Sequence, residues 1–191
     1  LTENVFFPTT FLEIPAGYTG LLDVNGKNIS ALGSPAVEVK GNWTVMDSTA
    51  KEEDLKVEDD NTVSFRSGSI KGNDSGKCDT VHVQDGGTFI LKSGMVWGAK
   101  NIAICVKENS IATIDGGYVE AQESALVVLG NDAKANINGG ILLSKDNATV
   151  ASNGLPQYAE QRSKCPVARW SVISKPLAIS PAAFTTTRKA P

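Results

Sequence analysis

The sequence has few cysteine, methionine, histidine and aromatic residues: three Cys, two Met, one His and 6% Phe, Trp and Tyr in 191 residues. Three cysteines, Cys78, Cys105 and Cys165, allow at most one disulfide bond, which excludes a disulfide-rich scaffold. Their spacing is not that of metal ligands. We therefore predict no metal site and no cofactor.

Long apolar runs are also missing. No stretch reaches the length of a membrane-spanning helix, and the first residues, LTENVFFPTTF, lack the basic start and apolar stretch of a signal peptide. We therefore predict no membrane insertion.

The net charge of −3 is unevenly distributed. Residues 1–154 contain 12 basic and 20 acidic side chains, whereas residues 155–191 contain six and one. This acidic body and basic tail have two interpretations. Packing of the tail on the body or on a neighbouring copy is favoured over binding to nucleic acid, and we predict no nucleic-acid partner.

A repeat between residues 55 and 142 aligns on pairs of small residues: Ser67-Gly68, Ser93-Gly94, Gly116-Gly117 and Gly139-Gly140. Counted from the second residue of each pair, positions −13, −11, −5, −3 and +2 are apolar in every copy. They are Leu55, Val57, Val63, Phe65 and Ile70; Val81, Val83, Phe89, Leu91 and Val96; Ile104, Val106, Ala112, Ile114 and Val119; and Val127, Leu129, Ala135, Ile137 and Leu142.

Period-2 apolar patterns interrupted by Gly, Asn and Asp are typical of short strands. The anchors are 26, 23 and 23 residues apart, which is the length of one solenoid coil. We predict an all-β fold, a right-handed parallel β-helix of about six coils, with glycines at its sharp corners. Two less regular coils precede the repeat: Leu22, Val24 and Ile29 take its −5, −3 and +2 positions, and Val37, Val39, Trp43 and Val45 repeat its pattern with a tighter turn.

Four sequence segments are IPAGYTGLLDVNGKNIS, SPAVEVKGNWTVMDS, TIDGGYVEA and NINGGILLS. These segments resemble the pectate-lyase-like β-helix modules of surface proteins of Gram-positive gut bacteria and of their phages. The resemblance covers roughly residues 11–154 and implies the fold more specifically than a function. It is consistent with a scaffold that carries no single chemistry.

Three regions are expected on this basis. Residues 1–10 form an N-terminal cap or arm, residues 11–154 form the β-helix, and residues 155–191 form an extended C-terminal arm or cap. The last region has no 23-residue register but is too apolar for a solvated linker. We expect assembly contacts at Phe6, Phe7, Trp170 and Phe184.

Residues at equal offsets stack along a β-helix, so the outward positions form columns that run from coil to coil. The −2 column contains Arg66, Lys92, Asp115 and Asn138, and the −12 column contains Lys56, His82, Cys105 and Val128. Neither stacks two carboxylates, so no acid/base pair is indicated. Lys92 and Asp115 are expected to form a surface ion pair, and His82 to be an ordinary surface residue.

An acidic run offers a possible cation site, but a solvated face is the simpler interpretation. It includes Asp47, Glu52, Glu53, Asp54, Glu58, Asp59 and Asp60. Trp97 and Tyr118, near the corners, are candidate contacts for a glycan or a partner, with packing at the rim as the alternative.

These observations favour a protein that is not an enzyme. We expect a structural or attachment β-helix, first as a phage virion component such as a capsid decoration or head-fibre protein. The alternatives are a bacterial surface adhesin or carbohydrate-binding module, and then a polysaccharide lyase or hydrolase. The expected partners are other virion or surface subunits and glycans, in a homo-oligomer located in a virion or at the cell surface.

Overall fold

The computed structural model describes residues 1–32, 35–57, 63–72 and 79–153. Three parallel sheets contain 17 of the 19 strands in this part of the chain. Sheet A contains β1 (Val5–Phe7), β4 (Asn28–Ala31), β9 (Ser69–Lys71), β12 (Met95–Gly98), β15 (Tyr118–Ala121) and β18 (Ile141–Ser144). Sheet B contains β2 (Leu12–Ile14), β5 (Val37–Val39), β10 (Val81–Val83), β13 (Ile102–Val106), β16 (Ser124–Leu129) and β19 (Val150–Asn153). Sheet C contains β3 (Thr19–Asp23), β6 (Asn42–Met46), β11 (Thr88–Leu91), β14 (Ile111–Ile114) and β17 (Lys134–Ile137).

The chain passes from sheet B to sheet C to sheet A and then returns to sheet B, one coil further along the axis. This path gives a parallel β-solenoid of about six turns, so the predicted fold class is confirmed. Within the described ranges, no helix is long and apolar enough to cross a membrane.

The core lies between the three sheets, and each coil contributes the same inward positions to it. One column along sheet A consists of Ile29, Ile70, Val96, Val119 and Leu142, all of which are buried. In sheet C, Trp43 lies beside Phe89, with ring centroids 5.9 Å apart. No single coil could bury these side chains alone, so stacking supplies the stability.

Glycines form the corner between sheets C and A, as the repeat predicts. Gly94, Gly117 and Gly140 have φ angles of +91°, +81° and +81°, in the left-handed region that favours glycine. They also stack on one another: a methyl group on Gly140 would lie 2.7 Å from the carbonyl oxygen of Gly117. The corner therefore requires glycine both for its backbone conformation and for the close approach of neighbouring coils.

The prediction that Leu55 to Phe65 form two strands of a coil is wrong. Lys56–Val57 (β7) and Val63–Ser64 (β8) pair with each other in an antiparallel hairpin. The strands β5 and β6 instead pair directly with β10 and β11, and β9 completes their coil. The hairpin, with a short 3-10 helix at Glu52–Asp54, is an insertion between β6 and β9. Period-2 alternation suits a hairpin strand as well as a solenoid strand, so the pattern did not separate the two.

The predicted register of the last coil is displaced by one residue. Leu126 pairs with Ile104 and Val128 with Val106, so these two positions continue the inward columns in place of Val127 and Leu129. The corner between β16 and β17 contains one more residue than the corner between β13 and β14. Positions counted back from Gly140 across this longer corner are therefore displaced by one residue. At this corner Gly130 has a φ angle of +94° and Asp132 one of +57°.

The first fitted coil is also displaced, at two of its three assigned positions. Leu22 pairs with Val45 and therefore takes the −3 place, and Gly20 takes the −5 place beside Trp43. Val24 is buried at the corner rather than within a strand.

Candidate metal centre on the outer face of sheet B

The outer face of sheet B carries one column of side chains that changes character along the solenoid. From the first coil to the last it contains Glu13, Glu38, His82, Cys105, Val127 and Ala151. The prediction that His82 and Cys105 adjoin is confirmed by their pairing across β10 and β13. Lys56 and Val128 are not in this column, because of the hairpin and the register displacement.

Asp79 completes a cluster with His82 and Cys105. Its Oδ2 lies 3.2 Å from Nε2 of His82, and one potential ligand atom from each of the three residues lies within 4.8 Å of the others. The cluster is enclosed: the side chains of His82 and Asp79 are 18% and 10% exposed, and Cys105 is fully buried. A carboxylate, an imidazole and a cysteine sulfur thus converge at one point on the sheet.

The start of β10 positions Asp79. The next residue, Thr80, is fully buried; its backbone N–H donates to the carbonyl oxygen of Ile102 at 3.0 Å. The Thr80 hydroxyl donates to the carbonyl oxygen of Trp97, also at 3.0 Å. These bonds join Thr80 to β12 and β13 of the next coil. They fix the backbone beside Asp79.

A small apolar cluster adjoins the three polar side chains on this face. It consists of Ile102, Cys105 and Val127, with Leu129 and Ala151 packed against it. Such surroundings reduce solvent screening and strengthen the electrostatic interactions of nearby charged groups. They also limit access to the Cys105 sulfur, which is unfavourable for a nucleophile that must reach a substrate.

Sequence reasoning missed Asp79 because it compared equal offsets within strands, whereas Asp79 precedes its strand. The available signal was the pair Asp79 and His82 three residues apart, combined with Cys105 one coil later at the column position of His82. A search of the corners together with the outward columns would have found the cluster.

Two carboxylates stack in the first two coils of this column, which precede the four repeats used for the prediction. Lys40 lies between them, with Nζ 3.4 Å from Oε1 of Glu13 and 3.0 Å from Oε2 of Glu38. Gln84 donates a further hydrogen bond to Glu38 at 2.5 Å. The hydrogen bond to Glu38 is the main cause that raises the pKa of Lys40. Both carboxylates are therefore paired with the same cation.

Asp47, predicted as part of a solvated acidic face, is instead buried, with 2% exposure. Its carboxylate accepts hydrogen bonds from the backbone of Gly26, Thr49 and Gly68 and from the Thr49 hydroxyl. Burial alone would raise the pKa of Asp47, but these donors together hold it below its usual value. Asp47 therefore fastens the insertion to the solenoid corner.

The predicted ion pair between Lys92 and Asp115 does not occur among the ion pairs of the described residues. Asp115 instead accepts a hydrogen bond from the Asn138 side chain at 2.8 Å. Both residues lie at the corner between sheets C and A, where neighbouring coils stack. An amide on the next coil therefore takes the place of the expected lysine.

The two candidate contact aromatics are on the outer side of sheet A and differ in exposure. Trp97 is partly exposed, between Lys71 and Glu120 in the same outward column. Tyr118 is only 2% exposed, and its hydroxyl donates to Glu120 at 2.7 Å. Burial and this hydrogen bond raise the pKa of Tyr118. Its ring offers no face to a sugar, whereas Trp97 does retain exposed surface.

The candidate assembly residues at the start of the chain have different roles. Phe7 points inward and packs against the core, whereas Phe6 is 56% exposed. Trp170 and Phe184, together with the whole predicted arm at 155–191, lie outside the described residues.

Comparisons with family models, curated proteins and solved structures found no match to this chain. The fold is therefore established by the strand pairing itself.

Proposed function

We propose that the chain is a non-catalytic structural or attachment β-solenoid, and that it serves as a phage virion component such as a capsid decoration or head-fibre protein. The resemblance of its coils to the pectate-lyase-like modules of phage and gut-bacterial surface proteins supports this setting. The first coil supplies the observation that carries the proposal.

The large hydrophobic side chains that are exposed in the described ranges all belong to the first turn of the solenoid and the strand before it. They are Phe6, Tyr18, Leu21 and Leu32, with exposures of 56%, 49%, 58% and 60%. The strands of this region, β1, β2 and β3, are also the terminal strands of sheets A, B and C. Exposed apolar side chains beside open strand edges are typical of a surface that docks on another protein. This end is therefore the proposed attachment surface, and a virion subunit or a second copy of the chain is its partner.

Two observations support a non-catalytic role. The carboxylates that stack on sheet B are paired with Lys40, and Cys105 is fully buried, which limits access to its sulfur. Under the alternative of a lyase or hydrolase, the purified chain would instead turn over polygalacturonate or a related glycan.

An adhesin or carbohydrate-binding module is the second candidate function. Trp97 favours it, because a partly exposed aromatic ring between a lysine and a glutamate offers both an apolar face and polar groups to a sugar. Binding of the chain to a glycan array, and its loss in Trp97→Ala, would support this candidate.

The test of the primary proposal is the mass of the native particle that contains the chain, measured by light scattering and imaging. We expect a large shell and not a free monomer. The double variant Phe6→Ser with Leu32→Ser should be depleted from the particle, and Lys134→Ser on β17, at the other end of the solenoid, should be incorporated normally. A native chain that is free in solution, or a double variant that assembles like the wild type, would overturn the proposal.

A further inference from the structure

We propose that Asp79, His82 and Cys105 form a binding site for a borderline-soft divalent metal ion, Zn²⁺, on the outer face of sheet B. The site is independent of the attachment surface on the first coil. Its role is to tie two neighbouring coils together, since His82 is on β10 and Cys105 on β13.

The donor set selects the class of metal. Cysteine sulfur and imidazole nitrogen are ligands for zinc and similar transition ions, whereas Ca²⁺ and Mg²⁺ require several oxygen ligands. The cluster offers one carboxylate beside one nitrogen and one sulfur. A hard cation is therefore disfavoured at this place.

The geometry also fits. Zinc bonds to oxygen and nitrogen of about 2.0 to 2.1 Å at a tetrahedral angle place the two ligand atoms about 3.4 Å apart. The observed separation between Oδ2 of Asp79 and Nε2 of His82 is 3.2 Å. All three donor atoms lie within 4.8 Å of one another, so a small movement of side chains brings the sulfur into the same coordination sphere.

The surroundings are enclosed and fixed by the fold, as a metal site requires. The three side chains are at most 18% exposed, and the apolar cluster of Ile102, Val127, Leu129 and Ala151 lies beside the sulfur. Thr80 fixes the backbone next to Asp79 through its bonds to Ile102 and Trp97. Two of the ligands are thus on one coil and the third is on the next, at positions that the solenoid already holds in register.

Binding of an ion to the folded chain alone shifts the unfolding equilibrium in favour of the folded state. A free zinc concentration about 100 times the dissociation constant lowers the unfolding equilibrium constant about 100-fold. Zinc should therefore raise the unfolding midpoint of the wild-type chain. Removal of the ion by a chelator should return the midpoint to that of the metal-free wild type, and zinc should not raise the midpoint of the ligand variants.

The test is titration of the full chain, stripped of metal and kept reduced, with Co²⁺ as a spectroscopic substitute for Zn²⁺. Coordination by Cys105 gives a sulfur-to-cobalt charge-transfer band in the near ultraviolet, and Zn²⁺ should abolish the band by displacement. Asp79→Asn and His82→Gln should weaken binding at least about tenfold, in line with losses at metal sites. Cys105→Val should lose the band, and this variant should still fold because Val127 occupies the next place in the column.

Three controls separate this site from other sources of the signal. Glu38→Gln changes the neighbour of His82 in the same column and should keep the band. Cys78→Ser and Cys165→Ser remove the cysteines outside the described residues and should also keep it. Circular dichroism and melting without metal confirm that each variant is folded. The proposal is overturned if the wild type gives no band, or if the band survives Cys105→Val in a folded chain.

Discussion

Oδ1 of Asp47 accepts a hydrogen bond from the backbone N–H of Gly26 at 3.0 Å, across 21 residues of sequence. The other oxygen accepts the N–H of Gly68, at the far end of the insertion. One buried carboxylate thus joins the corner of the first coil to the point where the chain re-enters the solenoid. This relationship makes Asp47 the residue on which the attachment of the inserted hairpin depends.

Asp47→Ala should therefore destabilise the chain by about 3 kcal/mol, because several buried donors lose an ionised acceptor. Chemical denaturation monitored by circular dichroism measures the change. Asp115→Ala is the control, an outward carboxylate with one side-chain donor, Asn138. Equal stability of the two variants would contradict the role of Asp47.

The pH dependence of stability should follow from the same residue. The pKa of Asp47 is lower in the folded chain than in the unfolded chain, so its contribution is present above the unfolded value of about 3.9 and is lost as pH falls through the folded value. Denaturation series between about pH 6 and pH 2 should show a steeper loss for the wild type than for Asp47→Asn. Parallel curves of unfolding free energy against pH for the two chains would show that folding does not stabilise the ionised form of Asp47.

A charge placed in the core should be far more damaging than the loss of one at the surface. Val106 and Ile114 are fully buried, in the inward columns of sheets B and C. Val106→Asp or Ile114→Asp should cost about 4 kcal/mol or more, and Asp115→Ala less than about 1 kcal/mol. The free energy of unfolding of the three variants measures the contrast, and similar values for all three would contradict the inward register.

Two glycines with the same backbone conformation should differ in their tolerance of alanine. Gly86 and Gly140 both have a φ angle of +81°, but a methyl group meets nothing within 4 Å at Gly86 and lies 2.7 Å from the Gly117 carbonyl oxygen at Gly140. Gly86→Ala should cost about 1 kcal/mol, from the left-handed conformation alone. Gly140→Ala should cost about 3 kcal/mol, because the close approach of two coils adds to that strain. Thermal melting of both variants makes the comparison, and equal losses would show that stacking of the corner is not tight.

The regular coils could be predicted from the sequence because three physical requirements coincide in them. Inward positions such as Val81 and Phe89 must be apolar, outward ones are mostly polar, and Gly117 must adopt a left-handed backbone at the corner. The hairpin at β7 and β8 could not be separated from a coil, since it has the same alternation. The coil strands β5 and β6 pair past the hairpin with β10 and β11, and a local pattern does not contain this pairing of distant segments.

The candidate site was less predictable than the fold. The column rule brought His82 and Cys105 together, but Asp79 reaches them from a corner. The burial of Asp47 was hidden for a similar reason. It begins a charged run in the sequence, whereas the structure turns its carboxylate to the backbone of three separate segments. The side-chain to backbone bonds at the corners are not part of the apolar repeat, so such contacts do not follow from it.

The register of β16 gives the sharpest comparison between the sequence pattern and the structure. Leu126 is fully buried in the main core, whereas Leu129 is partly exposed and packs beside the outer cluster. Leu126→Ala should therefore cost about 3 kcal/mol, because it opens a cavity between the coils, and Leu129→Ala about 1 kcal/mol. The register predicted from the small-residue pairs would place Leu129 in the core and reverse this order. Denaturant unfolding of the two variants, compared at equal m-values, decides between the two registers. A larger loss of stability in Leu129→Ala would contradict the pairing of Ile104 with Leu126.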